Sequence, residues 1–114
     1  MALPNKVDYE IYAGDTFEDV ISYTGSRDLT GATALSQVRL YTNATTVLLE
    51  VTPTVDEIQN EITLTMTASE TGNLITYSSS CQEVVYDIQV TFTGSEVETI
   101  QRGSYKVTTD VTRT

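Results

Sequence analysis

Histidine and tryptophan are both absent from this 114-residue chain, and cysteine occurs once, as Cys81. Without histidine the commonest general base and the commonest zinc ligand are gone. With one cysteine besides, neither a Cys/His zinc site nor a Ser-His-Asp or Cys-His catalytic arrangement can form. No intramolecular disulfide is possible, so the fold does not depend on an oxidising compartment. The neighbours of Cys81 are Gln82 and Glu83 rather than a basic group, which suits a small residue near a strand start better than an activated thiol. Positive charge is scarce too: six Lys and Arg face 16 Asp and Glu, a formal net charge of −10. Such a surface repels phosphate backbones and anionic lipid heads, so neither nucleic acid nor membrane is an expected partner. A basic partner, or assembly at an ionic strength that screens the repulsion, stays open. No apolar run is long enough to span a bilayer. Met1–Lys6 lacks the apolar core of a signal peptide, and synthesis in a cytoplasm is expected. No glycine-rich phosphate loop appears: Gly25 and Gly31 lack the P-loop lysine and spacing.

What the chain does have is threonine, roughly one residue in five, with seven tyrosines beside valine and isoleucine. These residues fit a pleated, half-buried surface. The strongest pattern lies in Val84–Val111. Tyr86, Ile88, Val90 and Phe92 alternate with Asp87, Gln89 and Thr91, giving one apolar and one wet face. Gly94 permits a tight reversal, so a long antiparallel hairpin is predicted. Other strands are predicted over Val7–Ile11, Thr16–Tyr23, Ala32–Tyr41, Val47–Thr52 and Glu61–Met66. Val20 breaks the alternation of its strand, which suggests a bulge there, and Gly103 reads as a bulge or close-approach position. Leu29, inside a glycine-flanked loop, is expected to plug the core. Thr67 and Glu70 have capping-box spacing, so one helical turn is predicted near Ala68–Thr71, with Gly72 closing it. Leu74 and Ile75 are expected to seal the core below it. Thr54–Asn60 reads as a polar connection and Tyr77–Gln82 as a polar, mobile one. Residues 1–6 form an expected flexible arm, and residues 7–114 a single all-β domain of about seven strands. Turns every 8–12 residues are the spacing of an antiparallel β-sandwich.

No residue pattern calls for catalysis or a cofactor. With 16 acidic residues some close carboxylate pair is inevitable and indicates nothing. Asp56, Glu57, Asn60 and Glu61 offer oxygens to calcium but lack the EF-hand pattern, and read as solvated loop charges. Asn43-Ala44-Thr45 has the form of a glycosylation sequon and reads as a plain turn. Arg39 and Arg102 lie among acidic neighbours and are expected to pair with carboxylates, or with another subunit. Tyr12, Tyr41 and Tyr77 are the aromatics a carbohydrate-binding face would use.

Gly14-Asp15-Thr16-Phe17, Asp28-Leu29-Thr30-Gly31-Ala32-Thr33-Ala34, Gln37-Val38-Arg39, Ile62-Thr63-Leu64, Ala68-Ser69-Glu70-Thr71, Tyr86-Asp87-Ile88, Arg102-Gly103 and Asp110-Val111-Thr112-Arg113 occur in that order. In order and spacing the chain, from about Val7 to Arg113, resembles the small immunoglobulin-like β-sandwich proteins of tailed bacteriophages. It is similar to the N-terminal domain of baseplate upper proteins and to tail-fibre attachment domains. The resemblance implies an immunoglobulin-like fold and a non-enzymatic virion structural role. The partners it implies are tail, baseplate, fibre or capsid subunits, with self-assembly in a symmetric particle a further option. Relatives of this kind often continue into a stalk or receptor-binding module, so a chain ending at Thr114 is expected to be a small adaptor or a capsid decoration subunit. Leu3, Val7, Tyr9, Arg39, Tyr41, Arg102 and Arg113 are the candidate interface residues. Edge strands and terminal segments would add to a neighbour's sheet.

Overall fold

The computed structural model describes residues 5–25, 27–74 and 81–109. Among them nine strands and one helical turn follow in order: β1 (Asn5–Lys6), β2 (Tyr9–Ala13), β3 (Phe17–Ser22), β4 (Thr33–Arg39), β5 (Val47–Val51), β6 (Thr54–Asp56), β7 (Glu61–Met66), α1 (Ala68–Gly72), β8 (Cys81–Thr91) and β9 (Val97–Thr109). They form two sheets, an all-β immunoglobulin-like sandwich. The large sheet runs β1-β9-β8-β4-β5, with β2 also on β9, and the small one runs β3-β7-β6. Taking β3 as strand B, the small sheet reads B-E-D and the large one G-F-C-C′, the immunoglobulin order. The first strand leaves the B side and lies parallel to β9, Tyr9 opposite Tyr105 and Ala13 opposite Thr109.

The long hairpin is the spine, as its alternation predicts. Val84, Tyr86, Ile88, Val90 and Phe92 are buried, while Glu83 and Thr91 are exposed. Each fully buried aliphatic side chain of this row contributes about 1.5–3 kcal/mol. Ile62, Leu64 and Met66 of β7 meet the row from the small sheet, and Leu29 is wholly buried between the layers. The capping box at Thr67 is formed: Glu70 N–H donates to the Thr67 hydroxyl (3.2 Å) and Thr67 N–H to the Glu70 carboxylate (2.8 Å). Leu74 is fully buried below the turn; Ile75 and Tyr77 lie outside the described residues.

Several local expectations are corrected. Asn5 and Lys6 are not arm but strand, paired with Gln101 and Arg102. Thr54–Asp56 is a strand on β7 rather than polar connection, because even polar residues can satisfy a ladder at a sheet edge. Gly72 stays inside the helical turn, and Asn73 caps it in the right-handed region. Val20 makes no bulge: β3 pairs with β7 without a slip, Val20 points out and Asp19 points in. The bulges lie instead at Leu48, between Val38 and Arg39 of the partner strand, and at Ile100, opposite Ile88 and Gln89. The Ile100 bulge leaves two successive residues, Ile100 and Gln101, facing inward and buried.

Gly103 is therefore the close-approach position and not the bulge. A Cβ there would sit 1.9 Å from the Val7 carbonyl oxygen. That contact lets the chain between β1 and β2 lie against β9. The Val7 carbonyl, unladdered, accepts the Tyr86 hydroxyl (2.7 Å). Gln101 donates to the same hydroxyl (3.0 Å) and reaches the Asp19 carboxylate (3.1 Å), which also accepts from Tyr9 (2.8 Å). Asp19 belongs to the small sheet, and Tyr9 and Gln101 to the large one, so this network ties the layers together. Around it Tyr86 stacks on Tyr105 (4.2 Å between centroids), and Phe17 meets Tyr9 and Tyr105 edge-on. Burial, reinforced by the Asp19 hydrogen bond and charge, pushes the Tyr9 phenol up to about 12. Burial drives Tyr86 and Tyr105 up as well.

Replacing Gly103 by alanine is expected to push the first strand off β9 and cost about 1–3 kcal/mol, read as a lowered urea midpoint. Alkaline pH gives a second expectation. Unfolded phenols release protons near their ordinary value of 10, whereas the folded chain keeps those of Tyr9, Tyr86 and Tyr105. Above that pH the unfolded state binds fewer protons, so stability falls as pH rises. Denaturation midpoints measured across this range, with phenolate absorbance alongside, should show part of the tyrosine ionising only as the chain unfolds.

Candidate functional site

The wet face of the hairpin, continued across β4 and β9, forms the outer face of the large sheet. Register fixes its side chains in a grid. Asp87 of β8 faces Arg102 of β9 on one side and Gln37 of β4 on the other; Val85 lies between Ser104 and Arg39; Glu83 faces Lys106. At one edge of this grid β1 brings Lys6 beside Arg102. The result is an open groove of about 490 Å³ whose walls include Lys6, Asp8, Arg39, Glu83, Asp87 and Arg102, with Val85 in its lining. Four of the chain's six cationic residues, Lys6, Arg39, Arg102 and Lys106, share this one face.

Each wall is held differently. Arg39 donates to the Ala44 carbonyl (2.7 Å) and the Gln37 side-chain oxygen (2.9 Å), and Gln37 in turn donates to Glu50 (3.0 Å). The turn that receives Arg39 is the sequon stretch, closed by Ala44 N–H on the Tyr41 carbonyl (3.0 Å). Asp8 accepts the Ser104 amide (2.9 Å) and hydroxyl (3.2 Å), replacing a ladder acceptor where the first strand breaks. Asp87 is half-buried; burial pushes its carboxyl up, and the charge of Arg39 partly offsets this. The two ion pairs among the described residues both belong to Arg27, with Glu96 and Glu98. The expected pairing of Arg39 and Arg102 with carboxylates is thus corrected. Arg39 spends its donors on neutral oxygens, and Arg102 makes no ion pair among the described residues, because extended strands hold the grid's charges apart.

Of the candidate interface residues, Arg39 and Arg102 come together in the groove. Tyr41 is 59% exposed just past the end of β4. Val7 is half-buried with its carbonyl bound by Tyr86, and Tyr9 packs into the core and bonds Asp19. Both are partly buried and support the interior. Leu3 and Arg113 lie outside the described residues. Tyr12, on β2, is separated from the β4 end that carries Tyr41 by β9 and β8, about 14 Å at ordinary strand spacing, so these two do not make a stacking row. In the Asp56–Glu61 loop one Asp56 carboxylate oxygen accepts the amides of Ile58 and Gln59, and one Glu57 oxygen that of Gly31. No group of three or more acidic or sulfur ligands that could hold a metal occurs among the described residues. Lys6, Asp8, Glu83, Asp87 and Ser104 were missed as site residues. The alternation marked Asp87 as outward-facing, but only the register that follows the Ile100 bulge sets it opposite Arg102.

Asp8→Ala should leave the Ser104 amide without its acceptor and cost about 1 kcal/mol. Asp8→Asn, which keeps an acceptor oxygen, should recover most of that loss in the same denaturation assay.

No protein-family model matches the sequence, and no curated protein does. Among solved structures 146 chains are similar. One, a candidate glycoside hydrolase from Bacteroides vulgatus, has a TM-score of 0.49 at 11% identity over 90% of this chain. This chain spans 16% of that protein's length, and a likeness of this size carries no argument about activity.

Proposed function

We propose that this chain is a non-enzymatic docking module of a tailed-bacteriophage virion, a tail, baseplate or fibre-attachment component that binds neighbouring subunits through the outer face of its large sheet. The observation that carries this is the pair of guanidiniums, Arg39 and Arg102, sharing one groove without an ion pair among the described residues. In a chain with 16 acidic residues against six basic ones, cations left so placed fit carboxylates brought by a partner. Charges at the edge of such a contact set its approach rate and its specificity. The strands that present them are already ordered, so little conformational freedom is lost on docking. Repetition of the contact around a symmetric particle multiplies a modest affinity. Production in a bacterial cytoplasm and residence in the virion complete the proposal.

Its test is fractionation of particles from the producing bacterium, separated into heads and tails, with peptide mass spectrometry of each. Peptides of this chain in the tail fraction support the proposal. Peptides confined to heads point to a capsid decoration subunit, and none in either fraction overturns the virion role. Arg102→Glu should shift stability by no more than about 0.5 kcal/mol, since the residue is exposed, yet reduce the amount incorporated. Undiminished incorporation of that variant would count against the groove.

A further inference from the structure

The edge of the small sheet along β3 is open. In an immunoglobulin sandwich the first strand usually lies there, but here it pairs with β9 instead. Tyr23 N–H donates to the Asn60 carbonyl (2.8 Å), and from there to Phe17 the strand runs opposite β7 without a slip. In an antiparallel ladder alternate residues turn their backbone groups toward the partner. Ile21, Asp19 and Phe17 therefore direct theirs to β7, and Glu18, Val20 and Ser22 direct theirs away from it. Among the described residues no hydrogen bond reaches those outward amides and carbonyls, and all three residues are exposed.

The other sheet edges are blunted. β5 carries the Leu48 bulge, β6 has three residues and follows Pro53, and the first strand breaks between Lys6 and Tyr9. Bulges, proline and short strands are the devices that keep an edge from pairing. β3 has six regular residues with no proline, lysine or bulge. Its inward-facing charge, Asp19, is held by Tyr9 and Gln101. Charge on the outer face beside this edge then selects what can add to it. Register sets Glu18 beside Thr65, Val20 beside Thr63 and Thr54, and Ser22 beside Glu61 and Asp56. Neither Lys nor Arg occurs in β3, β6 or β7. The face is acidic on either side of Val20, which is 50% exposed. A second copy pairing β3 with β3 would bring two such faces together, Glu18 of one toward Glu61 of the other, with no cation between them.

We propose that β3 is a receiving edge for an extended basic segment of a different protein, which joins the small sheet as a fourth strand. The residues of that segment opposite Glu18 and Ser22 are Lys or Arg, the second reaching Glu61 one strand further on. The residue between them, opposite Val20, is apolar. The pattern is basic-x-apolar-x-basic, with the x positions opposite Asp19 and Ile21. This edge shares no residue with the Arg39–Arg102 groove, and its test does not depend on the groove.

The probe is an end-blocked peptide, Thr-Lys-Thr-Val-Thr-Lys-Thr, added at millimolar concentration to the isotope-labelled full chain. Amide hydrogen exchange is followed residue by residue by nuclear magnetic resonance. The peptide should slow exchange at Glu18, Val20 and Ser22 about tenfold and leave the edge amides of β5 unchanged. The same peptide with Glu in place of both Lys should protect none of them. Val20→Lys sets a like charge in the row, and Val20→Pro removes an outward amide while the pairing with β7 is kept. Either should reduce the protection at Glu18 and Ser22 about tenfold, with circular dichroism checking the fold; Val20→Lys decides the matter if proline perturbs the strand. Arg102→Glu should bind the peptide as wild type does. No protection by the Lys peptide, equal protection by the Glu peptide, or protection that maps to β5 or the first strand overturns the proposal. Protection of the same three amides that grows with protein concentration, without peptide, makes a second copy the occupant and overturns it as well.

Discussion

The close approach of the first strand to β9 at Gly103 is the constraint on which the molecule is built. Only a residue without a side chain lets the Val7 carbonyl come so near. That approach turns the carbonyl toward Tyr86 and leaves Ser104's amide to Asp8. It also sets Tyr9 where its hydroxyl meets Asp19 of the other sheet. One missing Cβ thus connects the sheet edge, the inter-sheet polar network and one wall of the groove. The network is satisfied throughout: no buried side-chain nitrogen or oxygen among the described residues lacks a partner. A polar group inside a core costs little only when it is bonded in this way.

Charge is sorted by the same architecture. A chain with so large an acidic excess has no local means of keeping its few cations away from carboxylates. Strand geometry supplies one. On a pleated sheet, side chains stand at fixed spacings, so Arg102 beside Asp87 and Lys106 beside Glu83 are neighbours by register without collapsing into the tight pair that Arg27 makes from its loop. Arg39 is held by neutral oxygens, so its charge remains outward in effect while its position is fixed. The outer face of the large sheet thereby carries cations and carboxylates side by side, held at fixed spacings by the register.

Much of the fold was legible because strand alternation is a local signal. The inward row from Val84 to Phe92, the Glu61–Met66 strand, the Leu29 plug and the Thr67 capping box all follow from residues within a few positions of one another. What escaped depends on pairing. Val20 read as a break in the alternation of its strand, but β3 pairs without a slip, and Asp19 shares the inward face because Tyr9 and Gln101, 10 and 82 residues away, offer it hydrogen bonds. Gly103 was recognised as special without its partner being visible. The bulge in β9 shows in the sequence only as a change of parity between Ile100 and Tyr105, which does not place it at Ile100, and its place decides which residues of β9 lie opposite Asp87 and Val85.

The sequence by itself determined the layer count, the inward faces of the main strands, and the absence of histidine-based chemistry and disulfides. These rest on composition and on a two-residue period that any extended chain obeys. Tertiary structure alone decided that the first strand joins β9 rather than β3, that Asp19 is an interior tie, and that Lys6, Arg39 and Arg102 meet in one groove. Each is a contact between residues far apart in the chain. Its free energy depends on the register of two strands at once, which neither strand encodes separately.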